Sequence, residues 1–210
     1  MRVVNPLPTL GGRGQGEGGA PGVSDLRGAK ALEFRAAPSP SLSRKCGRAR
    51  TERKMQIAPA DSPADLPTIT QLFRAYAASL PIDLGYQNFD AELASLPGKY
   101  TPPTGALLIA RDASDAALGC VAMRPLDEPG ICEMKRLYVA PAGRGQGLGK
   151  QLARAIIEAA RAANYREMRL DTLATMHEAQ KLYRALGFTE IAAYYDTPIE
   201  NTVFMSLTLR

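Results

Sequence analysis

Cysteine, histidine and long apolar runs are scarce in this 210-residue chain. Its three cysteines, Cys46, Cys120 and Cys132, have no metal-ligand spacing and make no even disulfide set. Cys120 and Cys132 fall in strand-like stretches, where a free cysteine behaves as a small apolar residue. That usage suits a reducing compartment, so a cytoplasmic location is expected. The single histidine, His177, opens a helical stretch and is expected to cap it or face solvent rather than serve as a base. No metal site is expected. No apolar run approaches the ~18 residues that cross a bilayer, and the N-terminus lacks the apolar segment of a secretory signal. No membrane partner is therefore expected.

The net charge of +5 is unevenly spread. Residues 1–54 hold 11 Lys/Arg against 4 Asp/Glu, whereas residues 55–210 hold 15 against 17. The basic character belongs to the first stretch, so nucleic acid is not an expected partner of the rest. That first stretch is rich in Gly, Pro, Ser and Arg, and too poor in large apolar residues to offset the entropy of ordering. Residues 1–54 are expected to be a disordered basic extension, either an upstream extension or a start codon called too early, or else a functional basic arm or targeting segment. An ordered pattern begins at Met55, and 55–210 is the expected single domain.

Periodicity supplies the elements of that domain. Gln56 to Ala58 reads as a short strand, and Asp61, Ser62 and Pro63 offer start signals for a helix over 64–79. Leu66, Ile69, Leu72, Phe73, Tyr76 and Leu80 fall on one face of it. A shorter helix covers 89–96. Strands are expected over 106–111, 117–124 and 131–139, joined by polar turns. Leu148, Leu152, Ile156, Ala159 and Ala163 make the stripe of the next helix, followed by a strand over 167–172. Ala179, Leu182, Tyr183 and Leu186 form the apolar face of the last helix, with Gly187 just past its end. Strands over 188–191 and 203–209 close the chain. The expected fold class is α/β, in the layered α+β sense: a mixed, mostly antiparallel central sheet flanked by about four helices.

The densest local signal is Leu137-Tyr138-Val139-Ala140-Pro141-Ala142-Gly143-Arg144-Gly145-Gln146-Gly147-Leu148-Gly149-Lys150. Strand, Gly-rich turn and helix start make a phosphate cradle, because the first amides of a helix lack partners inside it and face the positive end of its dipole. Two common fingerprints are missing. G-x-G-x-x-G would need glycine at Lys150 or at Leu148, and a P-loop would need a hydroxyl at Gln151 and glycine at Arg144. What fits is R-x-x-G-x-G, at Arg144, Gly147 and Gly149. Arg13, Gly16 and Gly18 satisfy the same pattern, but no strand precedes that copy and no amphipathic helix follows it, so it is read as coincidence.

With this loop, Leu182-Tyr183-Arg184-Ala185-Leu186-Gly187-Phe188 resembles the L-Y-x-x-x-G-F signature of the GCN5-related N-acetyltransferases, the GNAT superfamily. The order of elements over 55–210 is similar too. Leu96 to Tyr100 and Tyr194 to Pro198 resemble segments of uncharacterised bacterial members. The resemblance implies an acetyl-CoA-dependent N-acetyltransferase, in which acetyl-CoA is a co-substrate and a bound primary amine of a small molecule or peptide attacks the thioester directly. Backbone groups of Leu137, Tyr138 and Val139 would hold the pantetheine arm and polarise the acetyl carbonyl. Amides of Gly145, Gln146, Gly147, Leu148 and Gly149, with the charges of Arg144 and Lys150, would hold the pyrophosphate. Tyr183 would protonate the leaving thiolate, and Glu133 would take the amine's proton directly or through a water. Read from periodicity alone, Tyr183 is a core residue, and Glu133 belongs to a surface charge set with Lys135 and Arg136. Many members carry asparagine where this chain has Met176. Tyr86, Phe89, Tyr100, Tyr194 and Tyr195 fall where acceptor sites of the family are built. Family members often form homodimers, which the resemblance implies as a partner here. The alternative reading is a non-catalytic acyl-CoA-binding sensor of the same fold.

Overall fold

The computed structural model describes residues 55–209, so the expectations for residues 1–54 lie outside the described residues. The elements are β1 (Gln56–Pro59), α1 (Leu66–Ala78), α2 (Phe89–Ala94), β2 (Ala106–Arg111), β3 (Ala117–Pro125), β4 (Ile131–Val139), α3 (Leu148–Ala162), β5 (Glu167–Leu173), α4 (His177–Ala185), β6 (Thr189–Ile191) and β7 (Thr202–Thr208). This is the expected order. The seven strands form one sheet in the order β1-β2-β3-β4-β5-β7-β6. Every pairing is antiparallel except β4 with β5.

Helices cover both faces. Leu148, Leu152, Ile156 and Ala160 of α3 and Tyr183 of α4 pack with Val121, Met123, Met134 and Met168. On the other face, Ile69, Leu72 and Phe73 of α1 pack with Leu107, Ile109, Cys120 and Ala122. Both described cysteines are buried as expected. The start of α1 differs from the sequence reading. Asp65 is the N-cap residue and Pro67 follows in the first turn, but the Asp65 side chain caps nothing. Its carboxylate instead accepts from Arg111 at 2.8 Å, so an ion pair to β2 takes the group that a local cap would use.

β4 is not a plain strand. Cys132 and Met134 face the α3 side, but the next residues on that side are Leu137 and Val139. One extra residue has entered the alternation, and the register with β3 shifts accordingly between Cys120 and Ala122. Arg136 takes a left-handed backbone with φ 57°, a conformation rare outside glycine and asparagine. The bulge turns Arg136 inward beside α2, where it donates to Glu92 through Nε at 3.0 Å and through its terminal nitrogen at 2.5 Å. Phe89 and Tyr76 stack on the guanidinium at 5.0 and 5.8 Å. The Tyr100 hydroxyl donates to the same carboxylate at 2.7 Å.

Only 2% of the Arg136 side chain is exposed. Removing its partner therefore leaves a buried, uncompensated cation, which costs about 3–5 kcal/mol. Glu92→Ala is expected to lower Tm by about 10 °C in a domain of this size, read by thermal unfolding. Burial raises the Glu92 pKa, but hydrogen bonds and charge from Arg136 outweigh it and hold the carboxyl below its ordinary range. The pair's contribution is thus present above the unfolded carboxylate value of ~4.3 and is lost as pH falls through the lower folded value.

Candidate active site

The parallel pairing of β4 with β5 is short. It joins Ile131, Cys132 and Glu133 to Glu167, Met168 and Arg169 and then stops. Beyond it the strands diverge, because β4 is pulled toward β3 and α2 by the bulge while β5 stays on β7 through Thr172 and Leu173. Ala140 donates its amide across to Leu118. By strand alternation, the backbone groups of Val139 then face the open side. Between the diverging strands lies a cleft walled by Met134 to Leu137, Asp171 to Leu173, Tyr76 and Tyr183.

The Gly-rich loop leaves the end of β4. A short 3₁₀ turn over Pro141–Gly143 comes first, and α3 begins at Leu148. Gly145 and Gly147 hold φ of 74° and 72°. These left-handed steps turn successive amides to one side. Among the described residues, the amides of Gly145, Gln146, Gly147, Leu148 and Gly149 donate to no backbone carbonyl, whereas Gly143, Arg144, Lys150 and Gln151 all do. A Cβ on Gly145 or Gly147 would meet nothing within 4 Å, so open space lies over the loop. Five unpartnered amides at a helix N-terminus fit a pyrophosphate. The Leu148 side chain is buried in the core, so only its amide is available. Arg144 is exposed and donates through Nε to the Val139 carbonyl at 3.2 Å, tying the loop to the strand end. Lys150 is exposed one turn into the helix.

Tyr183 lies on α4, packed edge-on against Phe188 at 5.8 Å, and lines the cleft between the strands. Burial pushes its phenol pKa well above the ordinary value, with Tyr76 and Asp171 adding to the rise. The proton stays on the oxygen throughout the working pH range. Met176, at the N-cap of α4, lines the same cleft. His177 is exposed beside it.

Glu133 is fully buried, which rules out the surface charge set. Its two oxygens take Arg124 Nε at 2.7 Å and the Tyr194 hydroxyl at 2.8 Å, with Lys135 Nζ at 3.7 Å. Glu133 is not on the wall of the cleft, so a proton from a bound amine could reach it only through a relay. Lys135 itself pairs with Asp171 across the divergence, at 2.9 Å. The five expected acceptor-site aromatics do not come together. Tyr86 and Tyr195 line a second hollow that opens beside the cleft. Phe89 stacks on Arg136, and Tyr194 packs on Tyr195 and Phe204, so both support the wall from behind. Tyr100 is buried, with its hydroxyl on Glu92. Arg124, Lys135, Asp171 and Gln87 also belong to this region and carried no motif. Lys135 and Asp171 are 36 residues apart, Arg124 meets Glu133 nine residues on across a hairpin, and the Gln87 side chain bonds its neighbour Tyr86, so no sequence pattern marks them.

Three comparisons bear on this arrangement. Residues 69–188 match the model of the family described as Acetyltransferase (GNAT) family. An uncharacterised N-acetyltransferase of Schizosaccharomyces pombe is 44% identical over 155 residues, covering 74% of this chain and 95% of its own. That similarity reaches past the bacterial branch suggested by the sequence. The N-acetylaspartate synthetase of Danio rerio is 31% identical over 105 residues, covering 50% of this chain and 37% of its own. A Salmonella typhimurium acetyltransferase structure with acetyl-CoA superposes with TM-score 0.55 at 23% identity, over 74% of this chain and 94% of its own.

Proposed function

The chain belongs to the GNAT acetyltransferase family, and from that premise we propose that it moves the acetyl group of acetyl-CoA to a primary amine of a small molecule or peptide by direct attack. The observation that carries this reading is the run of unpartnered amides, Gly145 to Gly149, that follows directly on β4, whose residues Met134 to Leu137 wall the cleft together with Tyr183. The amides hold the pyrophosphate, Arg144 and Lys150 add positive charge, and Leu137, Tyr138 and Val139 border the pantetheine arm. The open-side amide of Val139 donates to the oxyanion as the amine adds to the carbonyl, while the Val139 carbonyl accepts from Arg144. Holding both reactants in one cleft supplies much of the rate.

Tyr183 then gives its proton to the departing sulfur. Burial raises the phenol's pKa, but a thiolate formed in the same dry cleft is destabilised as well, so the transfer stays feasible. The amine loses its proton to water, with Glu133 acting through the relay as the acceptor and fixing Arg124 and Tyr194. The printed name of one relative, N-acetylaspartate synthetase, puts amines that carry carboxylates among the acceptors to try.

The test is mass spectrometry of reactions holding the full-length protein, acetyl-CoA and a panel of primary amines. An acetyl group on the amine nitrogen is expected. Acetylation only at hydroxyls would overturn the N-transfer reading, and tight CoA binding with no product from any acceptor would favour the sensor.

A further inference from the structure

The second hollow beside the cleft is walled by Tyr86, Gln87, Glu92, Arg124, Lys135, Arg136, Tyr195 and Asp196. Most of its charges are already committed to one another. Arg136 is held by both oxygens of Glu92, and Lys135 by Asp171. Arg124 is different. Only its Nε is used, on Glu133, and among the described residues its terminal nitrogens donate to nothing. Its side chain is 31% exposed, and it borders this hollow and the adjoining one under α2.

Two more polar atoms here are buried without partners, the Tyr195 hydroxyl and Gln87 Oε1. Burial raises the Tyr195 phenol pKa, and Asp171 adds to the rise through its charge and a weak hydrogen-bonding contact, but no hydrogen bond of normal geometry satisfies the hydroxyl. Gln87 Nε2 donates to the Tyr86 hydroxyl at 2.9 Å, leaving its oxygen as the idle half of the amide. A buried polar atom without a partner costs stability, and such atoms in a cleft point to a ligand that completes them.

The idle groups form an ordered set. Two guanidinium nitrogens and a phenol are donors, as a carboxylate requires. A glutamine oxygen is an acceptor, as an amine N–H requires. They are also ordered along the cavity. Gln87 borders both the second hollow and the cleft of Tyr183, whereas Arg124 and Tyr195 border the hollow but not that cleft. An acceptor seated this way has its amine toward the thioester and its anion away from it.

We infer that the acceptor is a small amine carrying a carboxylate close to the amine, as amino acids do, with the carboxylate on Arg124 and Tyr195 and the amine against Gln87. This rests on the acetyl-transfer reading. Gln87 accepts one N–H and leaves the nitrogen lone pair for the attack. Asp196, exposed at the rim, disfavours a further anion at the outer end.

The test compares matched acceptors, an amino acid and the amine left when its carboxyl group is removed, such as phenylalanine and phenethylamine or leucine and isoamylamine. Full-length protein is assayed for kcat/KM, and the CoA-loaded protein is titrated with each acceptor so that preference is read even where turnover is slow. A preference of about 30-fold or more for the carboxylate-bearing partner is expected. Arg124→Gln should reduce it to within a few-fold, and Tyr195→Phe, which leaves the ion pair with Glu133 intact, should reduce it by about 5–10-fold. CoA affinity and Tm of each variant separate this loss from misfolding. Equal or better use of the plain amines or of a polyamine by the wild type would overturn the inference while leaving acetyl transfer standing. Absence of CoA binding would overturn the acetyl-transfer reading itself, and the inference with it.

Discussion

Gly147→Asp is expected to remove coenzyme binding, raising the Kd for CoA by roughly 100-fold, about 3 kcal/mol. Three effects act together. Gly147 holds φ 72° at the N-cap of α3, where a side chain strains the backbone and disturbs the left-handed step that aligns the amides. A carboxylate there would compete for the same unpartnered N–H groups and repel the phosphates. Its own interaction with those amides can even stabilise the helix end. The fold should therefore survive: a Cβ at this position meets nothing within 4 Å. Isothermal titration with CoA, beside a melting curve, checks both halves. A melting point within a few degrees of wild type together with lost binding assigns the loop to the coenzyme. Unchanged CoA affinity would remove the loop from the site.

Tyr183→Phe is the second large effect. Proton donation by a positioned acid contributes about 100-fold or more, so kcat should fall by about that factor while the Kd for CoA stays within about twofold. The variant keeps the ring that packs edge-on against Phe188 and loses only the hydroxyl of a residue that lines the cleft. That separates the two readings of this residue. A core tyrosine would show little change in kcat, since its packing is preserved. A catalytic one would show the loss in single-turnover measurements, where product release plays no part. A kcat within twofold of wild type would assign Tyr183 to the core alone.

The order of elements could be read from the sequence because it rests on local periods. The stripe Leu148, Leu152 and Ile156 faces the core as its spacing requires, and Gly187 takes φ 95° just beyond α4, as a residue past a helix end does. The strand, Gly-rich turn and helix start over 137–150 were legible for a similar reason, since they are contiguous. The side of the cleft proposed for the acceptor was not. The extra residue in β4 cannot be seen in an alternating string of letters, yet it turns Arg136 onto Glu92, 44 residues earlier. Glu133 meets Tyr194 from 61 residues away, and Lys135 meets Asp171 from 36. Charged residues in a strand read as surface until their partners are known. Here the partners come from α2, β3, β5 and the segment before β7. Gln87 lies in a short 3₁₀ turn, and only its idle oxygen marks it.

The measurement that tests the central claim most directly is thiol release from acetyl-CoA by the full-length protein, with and without primary amines, in wild type and Gly147→Asp. Amine-dependent release by the wild type and its loss in the variant are the predicted result. No amine-dependent release from the wild type, or release undiminished by Gly147→Asp, would contradict the account.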